Sequence, residues 1–542
     1  MTKNRKKFYF IIIILIIFSL TGFALIFFIT SKTGPGLSPD SVAYIAAARN
    51  ILNGNGLAVL FNTDGTIPLN LWQPTYLNET IHIFKWPPFY PSILSLTGIF
   101  GLDIIEGARW LSSVLFGLNI FLIGFIIIKT TKSVFLPLFA SLLFLFSKEI
   151  IYIHHMAWSE PLFILLAFLG LLLIINFFDT KKLLLLFLSA LCSGLAFLTR
   201  YSGAVLVITA VIALLFLNRE KISNRILHAS LFAALSCLPT GIWFLRLQFL
   251  KSGLSVRRLG FNPVTTDEVR FMIDNITKWF IPGRIFFILR VIFTGIIGIL
   301  ILAGSIIIII RTKDKIAVSK QKKINEVLLL FLIFIFLYIG FIFLTRFIAG
   351  ANMDFWDNRH LTPVLSAFII IIALMFDSLL NLTEGRKIIG KISKASVYGI
   401  FVIFTIFYIT YFFYGNNIYT YKSLSSGTGY SRYDWRTSDT IQGLKKLPES
   451  TLIYTNEPCA IYILANRSSK MVPSKTDLQT HKYNVNYSKE IKIMEEELKR
   501  EKSIVVMFKT GLDFLAKEKD LKYDIILLPV KFFEDGTFYE IH

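Results

Sequence analysis

The chain has 542 residues, of which 54% are hydrophobic and only 17% charged, a balance that excludes an ordinary soluble globular protein and indicates a polytopic membrane protein. A formal net charge of +21 would suggest nucleic acid in a soluble chain, but here the basic residues fall in short links between apolar runs, so the charge reads as membrane topology and no nucleic-acid partner is expected. The three cysteines, Cys192, Cys237 and Cys459, supply neither a disulfide framework nor a metal cluster.

The first apolar run, Phe8 to Thr30, reaches the roughly 20 residues needed to cross a hydrocarbon core. It exceeds the roughly 7–15 apolar residues of a signal-peptide core, so it reads as a retained helix. Basic clusters at 3–7, 129–132, 179–182, 218–225, 311–323 and 384–394 mark the cytoplasmic side. Spans are then expected near 8–30, 107–128, 133–148, 159–178, 183–200, 202–218, 224–245, 284–310, 325–345, 361–380 and 395–414. The fold class that follows is a polytopic α-helical membrane protein of about 11 transmembrane helices, over residues 1–414, with a cytoplasmic N-terminus and an extracytoplasmic tail. Four segments fall outside: the first loop at 31–106, then 151–161, 246–283 and 345–363. They are longer than the cytoplasmic links or richer in Trp, His, Arg and Asp, so function is expected on that face.

In the first loop, "GPGLSPDSVAYIAAARNILNGNG" (Gly34 to Gly56) puts Asp40 just past the first span. Ser38, Pro39 and Asp40 start an amphipathic helix that Asn53 and Gly54 end. Asp40 has two readings, a helix cap or a general base held near an acceptor hydroxyl. The same loop closes with "HIFKWPPFYPSILSLTGIFG" (His82 to Gly101), an interfacial helix in which Lys85 could snorkel to, or specifically bind, a lipid phosphate.

Further ionisable residues sit at span ends: Glu160 in "AWSEPLF", Arg200 and Tyr201 in "FLTRYSG", and Asp357, Arg359 and His360 in "DNRHLTP". Each alone reads as snorkelling or a mutual ion pair. Together they form a charged ring whose arginines suit bidentate phosphate binding. His154 and His155 read as an interfacial pair, since no metal-ligand spacing surrounds them. From about Gly415 to His542 the chain turns polar. "STLIYTN", "SIVVMF" and "YDIILLPV" read as strands, and "EPCAIYILANR" and "YSKEIKIMEEELKREK" as helices, giving a small extracytoplasmic α/β domain over 415–542. No Gly-rich phosphate loop follows any of its strands.

These motifs, in this order, resemble the GT-C superfamily of polytopic glycosyltransferases that use polyprenyl-phosphate sugars, including the protein O-mannosyltransferases and the lipid A aminoarabinose transferase. The residues that carry the likeness are Asp40 with "Y-x-x-A-A-x-x-x-L-x-x-G-x-G" (Tyr44 to Gly56), "K-W-P-P-F-Y-P" (Lys85 to Pro91), "W-S-E-P-L-F" (Trp158 to Phe163), "L-T-R-Y-S-G" (Leu198 to Gly203) and "D-N-R-H-L-T-P" (Asp357 to Pro363). The resemblance implies a catalytic base at Asp40 in the loop 31–106 and donor phosphate held by Lys85, Arg200 and Arg359. The cavity lining would include Tyr44, Glu160, Tyr201, His82 and Asp357. It further implies a polyprenyl-phosphate-linked sugar donor and an acceptor that is a protein, a lipid or a cell-wall glycan, met among membrane lipids. Many relatives carry two adjacent acids in the first loop, whereas Ser41 follows Asp40 here, so no metal ligand is assigned and a divalent metal stays an open question. Two other classes compete: a transporter or lipid flippase, and a sensor whose tail binds a ligand. Against the first stand the lack of internal symmetry and of a charge deep within a span; against the second, the length of the first loop.

Overall fold

The computed structural model describes residues 3–59, 81–82, 86–131, 133–249, 261–279, 281, 283–311, 319–349, 357–382, 399, 402–403, 405–408, 410–411, 422–475, 483–500, 502–509, 521 and 524–541. Among the described residues fourteen α-helices make up the part up to residue 382: α1 (Lys3–Ile29), α2 (Pro39–Leu52), α3 (Phe89–Ile99), α4 (Ile104–Thr130), α5 (Phe135–Phe146), α6 (Lys148–His155), α7 (Glu160–Thr180), α8 (Leu183–Thr199), α9 (Ala204–Phe216), α10 (Ile222–Phe249), α11 (Thr266–Lys278), α12 (Phe287–Arg311), α13 (Ser319–Ala349) and α14 (Asn358–Leu382).

Among the described residues, six of these helices, α1, α4, α7, α10, α13 and α14, are long and apolar enough to cross a membrane. The pair α5 and α6 makes a seventh if counted as one broken span, and α8, α9 and the first half of α12 are shorter apolar helices. The protein is a multi-pass membrane protein. Where one span was expected at 133–148, the structure has α5 and α6 meeting at 60°. Ser147 between them is extended (φ −69, ψ 120), and the 12 residues of α5 rise only about 18 Å against a core of about 30 Å. Most of the expected span at 395–414, and residues 60–80 of the first loop, lie outside the described residues.

The bundle core is aromatic: Phe116, Phe139, Phe144, Phe163 and Phe168 are fully buried, and Phe168 points its edge at Phe331 and Phe334 of α13. By contrast α1 leaves Ile13, Ile17 and Leu20 exposed, which acyl chains accommodate at no cost because they are as apolar as leucine. Outside the spans, α11 begins at a capping box in which Thr265 and Glu268 bond reciprocally. Glu268 also takes a bidentate pair from Arg346 near the end of α13, at 2.7 and 3.1 Å. Both side chains are nearly buried, so Glu268→Ala, which strands the guanidinium, should cost about 3–5 kcal/mol. The check is the unfolding midpoint in detergent, where Glu268→Gln should fall between the two.

The tail forms a five-stranded mixed sheet from β3 (Leu452–Thr455), β4 (Lys470–Met471), β5 (Ser503–Phe508), β6 (Leu527–Phe532) and β7 (Gly536–Ile541), in the order β4-β3-β5-β7-β6. A separate two-residue pair in the first loop joins β1 (Ala58–Val59) to β2 (Ile81–His82). β3 runs parallel to β4 and β5, and β7 antiparallel to β5 and β6. Strand "SIVVMF" is apolar throughout because both its faces are covered. Val505 and Met507 pack with Met494 and Leu498 of the helix Tyr487–Arg500, while Ile504, Val506 and Phe508 pack with Ile441 and Leu444 on the other side.

Candidate active site at the mouth of the helix bundle

Asp40 lies in the first turn of α2, but it does not cap the helix. Ser38 does: its Oγ accepts from the Ser41 N–H at 3.3 Å, and the Ser41 Oγ accepts from the Ser38 N–H at 3.1 Å. With the cap supplied by neighbours, the Asp40 carboxylate is turned to other partners. The Trp86 indole Nε1–H donates to Oδ1 at 3.2 Å, and an Arg359 Nη1 stands 2.6 Å from Oδ2.

Arg359, one residue into α14, ties two acids together. Its Nε donates to Oε1 of Glu160, the first residue of α7, while its guanidinium lies 4.1 Å over the Trp158 ring. The same Glu160 oxygen receives an Arg200 Nη1 at 2.6 Å. Arg200 reaches it because the chain is extended there (φ −150, ψ 137), between α8 and the 3-10 turn Tyr201–Gly203 that leads into α9. Arg200 also donates to the Ser159 Oγ at 3.2 Å and to the His360 Nδ1 at 2.9 Å. Since arginine can only donate, the His360 Nδ1 is the acceptor.

The result is an alternating chain, Asp40, Arg359, Glu160, Arg200, with two charges of each sign. Exposure separates the two carboxylates: the Asp40 side chain is 29% accessible and that of Glu160 1%. Asp40 is therefore the more accessible carboxylate of the two, whereas Glu160 is an anchor for the arginines. Glu160 Oε2 and Arg200 Nε are buried with no hydrogen-bond partner.

Tyr44, one turn after Asp40, is buried, with its hydroxyl 3.3 Å from the Ser159 Oγ and its ring edge-on to Tyr90 and Trp86. Burial, reinforced by the Asp40 charge, pushes its phenol well above the usual range, so it stays protonated. Tyr201 accepts from the Trp243 Nε1–H at 3.3 Å and stacks on Phe244. Asp357 stands just before α14, its carbonyl accepting the His360 N–H at 3.0 Å. His82 pairs with Ala58 in the β1–β2 ladder. Lys85 lies outside the described residues.

Several residues at the site were not singled out from sequence. Trp158 donates from Nε1 to the Ser38 Oγ at 2.7 Å, and Ser159 accepts from Arg200. Arg246, in the last turn of α10, lies 5.2 Å over the Trp243 ring and has a buried Nη1 without a partner. Its signal was present as Trp243 and Arg246 at i, i+3. His154 and His155, expected at the interface, are buried instead, His154 bonding Ile150 O and Asn119. Among the described residues no three His, Cys, Asp or Glu side chains gather as metal ligands, and arginines occupy Asp40 and one oxygen of Glu160. The described donor set does not fit a divalent ion.

The comparisons agree with this architecture. The family model described as dolichyl-phosphate-mannose-protein mannosyltransferase matches residues 85–243, a stretch that holds Glu160, Arg200 and Tyr201. No curated protein matches the chain. Among solved structures, ArnT from Cupriavidus metallidurans in the apo state is similar with a TM-score of 0.57 at 12% identity, over 96% of this chain and 97% of that one. The same protein bound to undecaprenyl phosphate gives 0.56 at 12% identity, again over 96% and 97%. The archaeal oligosaccharyltransferase AglB from Archaeoglobus fulgidus, in complex with an inhibitory peptide and a dolichol-phosphate, gives 0.53 at 10% identity over 90% of this chain and 69% of that chain. Along nearly its whole length, therefore, the chain has the fold of the GT-C superfamily of polytopic glycosyltransferases that its motifs resemble.

Proposed function

We propose that the protein moves a hexose or pentose from a polyprenyl-phosphate donor to an acceptor hydroxyl on the extracytoplasmic face, with inversion, Asp40 acting as general base. The observation that carries this reading is the convergence of Asp40, Arg359, Glu160 and Arg200 at the mouth of the bundle, with Asp40 the accessible carboxylate. Two proteins similar in fold have been solved with undecaprenyl phosphate and with a dolichol-phosphate bound, and the matching family is described by a dolichyl-phosphate sugar. These support a lipid-phosphate donor. Asp40 takes the proton of the acceptor O–H as its oxygen bonds to the anomeric carbon. The bond from that carbon to the phosphate oxygen breaks, and its electron pair leaves with the polyprenyl phosphate. No general acid is needed for such a leaving group. Arg200, Arg359 and Lys85 are assigned to stabilise the released phosphate; the transition state is oxocarbenium-like, and inversion is assigned because a single carboxylate is positioned to act. The N-terminus is assigned to the cytoplasm and residues 415–542 to the outer side.

The test is the purified full chain in lipid nanodiscs, supplied with a panel of undecaprenyl-phosphate hexoses and aminopentoses and with peptide, lipid and glycan acceptors. The expected result is consumption of one donor with release of undecaprenyl phosphate. Movement of lipid across vesicles without consumption of any donor would favour a flippase and sink the transferase reading.

A further inference from the structure

The stretch leading into α2 is the middle ply of a three-ply backbone ladder. Gly36 and Leu37 form parallel bridges with Met156 on one side and Gly429 on the other. The Gly36 N–H donates to His155 O and the Ala157 N–H to Gly36 O, both at 3.0 Å. On the opposite side the Leu37 N–H donates to Thr428 O at 3.1 Å and the Tyr430 N–H to Leu37 O at 2.8 Å. Ser431 Oγ adds a bond to Pro35 O at 2.6 Å. The outer plies are joined by a side-chain bond of 3.0 Å between His155 Nε2 and Thr428 Oγ1. Because His155 Nδ1 must donate to Tyr152 O, its Nε2 accepts from the threonine.

Each ply runs straight into a different part of the molecule. The middle one continues through the Ser38 cap to Asp40, and the second through Trp158 and Ser159 to Glu160. The third belongs to the C-terminal domain. Tyr430 donates to the buried Glu457 at 2.8 Å, just past β3, its ring meets Trp435, and Trp435 meets Phe508 of β5. An unbroken series of contacts therefore leads from the sheet core to the backbone that aims Asp40. The ladder is tight at two positions, and at Gly429 the obstacle is backbone. A Cβ on Gly36 would run into the Met156 sulfur, and one on Gly429, which sits at φ +60, would run into the Leu37 carbonyl.

We propose that the C-terminal domain positions Asp40 through this joint, with Thr428 and Gly429 as positioning residues. The inference rests on the proposed transferase function and adds a role for the domain. Glycosyl transfer needs the base within hydrogen-bond reach of the acceptor, and a displacement of about 1 Å costs on the order of a hundredfold in rate.

The experiment compares full-length wild type with Gly429→Ala, Thr428→Val and Thr428→Ser in nanodiscs, reading turnover of the consumed donor, affinity for undecaprenyl phosphate, and amide hydrogen exchange. Gly429→Ala should lower kcat by about a hundredfold while affinity for undecaprenyl phosphate stays within about threefold of wild type. Thr428→Val should lower kcat by about fivefold, and Thr428→Ser, which keeps the hydroxyl, should restore it. In Gly429→Ala the amides of Leu37 and Tyr430 should exchange faster while those of β5 do not change. Unchanged kcat in Gly429→Ala, or kcat and lipid affinity falling in the same proportion, overturns the proposal. If wild type consumes no donor, the transferase reading falls, and exchange alone decides: faster exchange at Leu37 and Tyr430 upholds the joint, unchanged exchange removes it.

Discussion

Asp40→Asn should abolish turnover while the protein stays folded and still binds lipid phosphate. The asparagine keeps the shape of the side chain and an oxygen for the Trp86 indole, and the helix start is untouched because Ser38 and Ser41 form the cap. What disappears is the capacity to take a proton, which is worth about 10²–10⁴ in rate for a general base, or about 3–5 kcal/mol of barrier. Binding should move in the other direction, if at all. Arg359 loses one of its two carboxylates, so the alternating chain goes from neutral to one net positive charge and holds an anionic headgroup at least as well. Turnover and undecaprenyl phosphate affinity, measured on the same preparation, separate the two effects. Transfer that survives at more than a tenth of the wild-type rate would remove Asp40 from its role.

Glu160→Ala should be the most destabilising single change at the site. One buried oxygen receives both Arg200 and Arg359, so truncation leaves two nearly buried guanidiniums without their shared counter-charge, at a cost of about 3–5 kcal/mol. Glu160→Gln retains an acceptor oxygen for the arginines but no charge, and should lose less. The measurement is the unfolding midpoint of each variant in detergent. Addition of undecaprenyl phosphate gives a second reading: if the arginines bind the leaving group, the lipid should recover part of the midpoint lost in Glu160→Ala, because an anion replaces the missing carboxylate. A midpoint equal to wild type would show that the two arginines do not depend on Glu160.

The helix carrying Asp40 was legible because its instructions are local: a serine before a proline to start it, Asn53 and Gly54 to end it. The strands "STLIYTN" and "SIVVMF" were legible for the same reason, whereas β4, of two residues, carries too little pattern to read. The break at Ser147 was hidden because α5 is apolar all round, and hydropathy registers the length of a run but not a bend within it. Arg246 was passed over as the edge of a loop, although its spacing from Trp243 had marked one helix face. The ladder of Gly36, Met156 and Gly429 left no trace, since backbone groups pair without regard to side chain.

Composition determined the solvent this chain lives in, because a sequence that is more than half apolar can bury its surface only in lipid and in itself. Order and spacing determined the helices, the polar tail and the resemblance to a fold. Which charges meet was decided by packing alone. Asp40, Glu160, Arg200 and Arg359 sit on different elements scattered from residue 40 to residue 359, and only the way α2, α7 and α14 converge beside the extended residue after α8 brings their opposite charges within reach, where a low-dielectric surrounding makes each pairing count.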